Sequence, residues 1–89
     1  MFRVEWDERA LDELATLWID ADPLLRQALT AASHEIDQRL RSDPRVEGES
    51  RSGDRRVTFV PPLVVTFQVE DDRQSVLILS IRVFRRRSP

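Results

Sequence analysis

The chain predicts an α+β domain of order β-α-α-β-β-β, a helical hairpin packed on one face of a small, mainly antiparallel sheet. Three observations lead there. Residues 55–84 hold three alternating apolar stretches, RRVTFV, LVVTFQVE and SVLILSIRVF, separated by Pro61-Pro62 and by Asp71-Asp72-Arg73-Gln74. Residues 8–42 hold two stretches with helical spacing, divided by Asp22-Pro23. Ahead of them Phe2, Val4 and Trp6 alternate with Arg3 and Glu5, the pattern of a short half-buried strand.

Each helix carries its own start signal. Asp7 is placed to cap the first, with Glu8 favourable in the opening turn. Ala10, Leu11, Leu14, Leu17, Trp18 and Ala21 form its apolar stripe, and Trp6 and Trp18 are expected in the core. Asp22 caps the second helix and Pro23 sits at its first position, where a missing N–H costs nothing. Its stripe is Leu25, Ala28, Leu29, Ala32, Ile36 and Leu40, with His34 on the opposite side. Asp43-Pro44 ends it, because the residue before a proline is pushed away from helix. A break of two or three residues makes the helices an antiparallel hairpin. Residues 43–54 contain both glycines and few apolar residues, and are expected to be a mobile loop. The prolines at 61 and 62 cannot donate to a ladder, so they mark a turn.

Eighty-nine residues make one domain, 1–89, with a thin core. The absence of cysteine excludes disulfides, zinc–thiolate sites and thiol nucleophiles. No apolar signal core or spanning segment is present, so a soluble cytoplasmic protein with no membrane partner is expected. The net charge of −2 hides a division. Residues 1–50 hold 12 acids and 6 arginines, whereas residues 51–89 hold 4 acids and 8 arginines. Every basic residue apart from His34 is arginine. Codon composition is the plainer account of that preference. The division itself places opposite charges on different parts of the chain.

Period-two alternation sorts the strands into faces. The apolar rows expected against the helices are Val57 and Phe59; Leu63, Val65, Phe67 and Val69; and Leu77, Leu79, Ile81 and Val83. The opposite face then gathers Arg56, Thr58, Thr66, Gln68, Ser80 and Arg82, with Arg51 and Arg55 at its loop edge and Arg85, Arg86 and Arg87 beyond the last strand. It also keeps Val64, Val76, Ile78 and Phe84. Such a pattern suits a plain solvated face. It equally suits a surface for an acidic partner or a nucleic acid strand, since it mixes cations and apolar groups with few acids.

Recognisable catalytic constellations are missing. His34 is the single histidine, and no spacing sets it beside a serine in a triad. The helix carboxylates are spread over solvated positions, so neither a metal nor a cofactor is expected. The glycines flanking Glu49 to Ser52 lack the preceding strand and following helix of a phosphate-cradling loop.

The element order, the Asp43-Pro44 exit and the ending RRVTFVPPLVVTFQVEDDRQSVLILSIRVFRRR resemble the RelE/ParE superfamily of bacterial toxins. PLVVTFQV, EDD and SVLILSI fill the family's middle strand, acidic turn and last strand. The resemblance covers nearly the whole chain. It implies a toxin of a bacterial toxin–antitoxin or plasmid-stabilisation system, held inactive by an antitoxin protein. RelE-like members cut messenger RNA on the ribosome, and ParE-like members inhibit DNA gyrase. Neither implies a small-molecule substrate. The resemblance carries Arg56, Arg82 and Arg85 over as catalytic candidates. Together with the face assignment, Arg51, Arg55, Arg56, Thr66, Gln68, Arg82, Arg85, Arg86 and Arg87 are candidates for holding an anion, RNA or the antitoxin. The chain departs from the family pattern at Val57 and Val64, where basic residues are usual, and it has no tyrosine. Arginine alone is a weak general acid or base, because it titrates far above neutrality. A toxin acting on a macromolecule therefore stands beside an inactive toxin-fold interaction module and a plain nucleic-acid-binding domain. The acidic overall balance weighs against the last.

Overall fold

The computed structural model describes residues 1–84. Strand β1 (Arg3–Trp6) leads into helices α1 (Glu8–Asp20) and α2 (Pro23–Ser42). Strands β2 (Glu49–Ser50), β3 (Arg55–Val60), β4 (Leu63–Glu70) and β5 (Ser75–Val83) follow. The five strands form one sheet in the order β1-β5-β4-β3-β2. The β1–β5 pair is parallel and the other pairs are antiparallel. No helix among the described residues is long and apolar enough to cross a membrane.

The start signals act as expected. The Arg9 N–H donates to Asp7 Oδ2 (3.3 Å), and the Leu25 N–H donates to Asp22 Oδ1 (2.8 Å). Pro61-Pro62 makes the β3–β4 turn and its peptide bond is cis. The β4–β5 connection is a 3₁₀ turn, Asp71–Arg73, closed by Gln74 in the left-handed region. Leu29, Ala32, Ile36 and Leu40 of α2 are buried against Leu63, Val65, Phe67 and Val69 of β4. Trp6 packs half-buried on this core. Trp18 does not join it: the residue is 41% exposed, with the Arg26 guanidinium 5.4 Å from the ring centroid. Leu14 and Leu17 fill the side of α1 that meets the core, which leaves Trp18 on the solvent side of the helix pair.

Two face assignments are corrected. In β3, Arg56, Thr58 and Val60 pair with Phe67, Val65 and Leu63 and so share the helix-covered face. Val57 and Phe59 take the open face with Thr66 and Val64. In β5 the two halves follow different rules. Val76 and Ile78 are buried opposite Val69 and Phe67, while Ile81 is buried opposite Val65. A β-bulge separates them: Thr66 pairs with Ser80 but Phe67 pairs with Ile78, which leaves Leu79 extra. One added residue shifts a period-two pattern by a full face. The row Leu77-Leu79-Ile81-Val83 is therefore split, and Leu77 lies on the open face.

The segment after α2 is also more structured than expected, since Glu49 and Ser50 pair with Val57 and Arg56. Arg56 holds it further: Nε donates to the Glu47 carbonyl (2.9 Å) and Nη2 to the Gly48 carbonyl (3.1 Å). Arg45 lies over the Phe2 ring, 5.3 Å from its centroid, and pairs with Asp71. Gly48 has φ +66°, and a Cβ there would run into the Val57 carbonyl with Thr58 Cα at 2.8 Å. We predict that Gly48→Ala lowers stability by about 2–3 kcal/mol, combining left-handed strain with a backbone clash. Gly53 has φ +63° but open space around it. Gly53→Ala should cost only about 1 kcal/mol. Equal losses in thermal melts would show that the Gly48 contact is unimportant.

Candidate functional site: the open face of the sheet

The helices cover one face of the sheet and leave the other open. Register alone determines what the open face displays. Arg55, Val57 and Phe59 come from β3, Val64, Thr66 and Gln68 from β4, and Leu77, Ser80 and Arg82 from β5. A shallow depression of about 520 Å³ crosses its centre. Val57, Val64 and Thr66 line it together with Ser80, and Arg55 and Arg82 stand over it from two strands. Asp7 and Arg9 also line it, from the β1–α1 junction.

The electrostatics single out two of these cations. Arg9 lies 3.9 Å from Glu13 and Arg51 lies 3.3 Å from Glu49, so each has a carboxylate at hand. Among the described residues, Arg55 and Arg82 enter no ion pair, and both are exposed. A guanidinium with no internal partner keeps its fork of donors for an external carboxylate or phosphate. Thr66 and Ser80, directly paired across β4 and β5, add hydroxyls between them.

An aromatic pair flanks this centre. Phe59 and Phe84 meet edge-to-face with centroids 5.3 Å apart, and they are 49% and 56% exposed. The Phe84 N–H donates to the Pro62 carbonyl (2.8 Å), which ties the end of β5 to the β3–β4 turn. Exposed rings beside exposed guanidiniums make a surface suited to stacking as well as ion pairing.

The sequence-derived candidates divide accordingly. Arg55, Thr66, Gln68 and Arg82 are brought together on the open face. Arg56 is not: it is half-buried on the other face and binds loop carbonyls. Arg51 sits just beyond β2 at the sheet margin, its backbone N–H donating to the Arg55 carbonyl (2.8 Å). Arg85, Arg86 and Arg87 lie outside the described residues. His34 is exposed on α2 beside Gln38. Sequence reasoning missed Arg9, and saw Asp7 only as a helix cap. Both reach the site because β1 runs parallel to β5, with the Asp7 N–H donating to the Ile78 carbonyl (2.9 Å). Nothing local in the sequence signals that pairing.

No protein-family model and no curated protein matches the chain. Solved structures do. The isolated E. coli RelE toxin aligns over 98% of this chain and 88% of its own, with 21% identity and a TM-score of 0.62. The toxin–antitoxin complex RelBE2 from Mycobacterium tuberculosis aligns over 92% and 90%, with 18% identity and a TM-score of 0.69. The chromosomal ParDE toxin–antitoxin system of P. aeruginosa aligns over 96% and 98%, with 18% identity and a TM-score of 0.61. The chain has the RelE/ParE fold. On that RelE/ParE frame Val57 and Val64 line the central depression together with Arg55 and Arg82.

Proposed function

We propose that the chain is a RelE/ParE-type toxin, neutralised by an antitoxin protein, that engages a macromolecular target through the open face. The observation that carries this reading is the pair Arg55 and Arg82. Both are exposed and without ion-pair partners among the described residues, and they flank the Thr66–Ser80 hydroxyls on a face that no helix of the described residues covers. The fold shared with RelE and ParE supplies the context. Targets of matching chemistry are messenger RNA on the ribosome and DNA gyrase.

The residues favour holding a target over cutting it. Cleavage of RNA by its own 2′-OH needs a group that takes up a proton near neutral pH. The depression offers arginines, hydroxyls, valines and one carboxylate, Asp7, whose Oδ2 already accepts from the Arg9 N–H. A non-cleaving inhibitor of the ParE kind, or an interaction module that has lost its chemistry, fits this set better than a nuclease.

Inducing the chain alone in bacteria tests the reading. Growth arrest is expected, relieved by co-expression of the antitoxin. DNA damage that depends on gyrase, with intact messenger RNA, selects the ParE-like mode, whereas cleavage within codons selects the RelE-like mode. Unimpaired growth with folded protein present would leave the interaction module as the better reading.

A further inference from the structure

The open face of the sheet and the acidic side of α1 border one another. Asp7, Arg9 and Arg82 line both the central depression and a groove of about 810 Å³ between α1 and the end of β5. Glu8, Asp12 and Glu13 also line that groove. Glu13 is engaged within the molecule: it lies 3.9 Å from Arg9, and the Ile81 N–H donates to its Oε1 (3.0 Å). Glu8 and Asp12 are exposed, and neither enters an ion pair among the described residues. Arg55 and Arg82, across the border, are exposed and equally without an ion pair there.

We infer that a second copy of this chain covers the open face, in a two-fold dimer that sets α1 of each copy against the arginines of the other. Two-fold contact is reciprocal, so a surface is matched only by itself turned around. A surface of one sign repels its own copy. A surface divided into neighbouring acidic and basic parts attracts its copy when the axis passes through their border. Asp7, Arg9 and Arg82 mark that border here. Glu8 and Asp12 of one copy then face Arg55 and Arg82 of the other, and the same contact recurs on the far side of the axis. An acidic partner of another kind would answer the arginines and leave the carboxylates of α1 unanswered, and a basic one would do the reverse. Half-buried Val57 and Val64 on the sheet, with Leu17 and Val83 in the groove, supply apolar ground among the charges. Such a dimer removes the open face from reach of a target, so the free, active form would dominate only at low concentration. That consequence rests on the toxin reading, whereas the dimer itself does not.

Sedimentation equilibrium of the full chain tests this in low salt and in about 1 M salt, where charges are screened beyond about 3 Å. A dimer with a Kd of about 1–100 µM is expected in low salt, weakened about tenfold or more by the added salt. Arg55→Glu with Arg82→Glu should be monomeric, and so should Glu8→Arg with Asp12→Arg. All four changes in one chain keep the parent's net charge and exchange the signs of the two patches, so dimerisation should return. Thermal melts establish that each variant is folded. The milder pair Glu8→Gln with Asp12→Asn should weaken the dimer severalfold. On dilution, amide NMR signals of residues 8–12 and of strands β3 to β5 should move together. A chain that stays monomeric at about 1 mM in low salt overturns the inference. So does a folded four-change variant that stays monomeric, and so do dilution shifts confined to α2 or to Glu49 and Ser50. Each readout uses the purified chain, so the dimer can fail while growth arrest stands, and growth arrest can fail while the dimer stands.

Discussion

Replacing Phe67 with alanine should remove about 3–5 kcal/mol of folding stability. Phe67 lies in the central strand with no exposed surface, between Arg56 and Ile78 in register. Deleting the ring forfeits its transfer free energy and leaves a cavity that strands held by two ladders cannot close. A domain of this size is stabilised by about 4–13 kcal/mol in total, so the loss is a large share. The melting temperature should fall by at least about 12 °C. Phe67→Leu retains much of the volume and should lose only about 1–2 kcal/mol. If Phe67→Ala melted within a few degrees of the parent, the packing described for the core would be wrong.

Reversing both open-face charges, Arg55→Glu with Arg82→Glu, should abolish growth arrest while the melting curve barely moves. Both side chains are exposed and enter no ion pair among the described residues, so folding depends little on them. A contacted anionic group, by contrast, would meet repulsion where it had attraction. Affinity should fall by about 100-fold or more. The matching lysine variants keep the charge and lose the fork, so they should retain part of the effect. Arrest undiminished in the glutamate variant would remove the open face from the mechanism.

The helices were the most legible part of the chain. Asp7, Asp22, Pro23 and Pro44 signal locally, and each acts within a few residues of itself. Strand existence was equally plain, but strand facing was not. Alternation assigned β4 correctly because it is regular throughout. It failed in β5 because Leu79 is an extra residue that no side-chain pattern announces. It failed in β3 because Phe59 looks like a core residue and Arg56 looks like a surface one. The register and two loop carbonyls decide otherwise. The candidate site was half legible for the same reason. Arg82, Thr66 and Gln68 were placed correctly on regular or bulge-compensated stretches, whereas Arg9 depends on a parallel pairing across 72 positions of sequence, from Arg3 to Ser75.

The position of Arg56 bears on how a genetic selection should be interpreted. Survivors of induction would include changes at Arg55 and Arg82, which leave a folded but inert protein. They would also include changes at Arg56, whose guanidinium pins Glu47 and Gly48. Cells clear a protein that opens more often, so those survivors would owe their growth to low abundance rather than to a lost contact. Colony counts alone would draw one continuous arginine surface from two unrelated causes, and the level of intact protein per cell separates them.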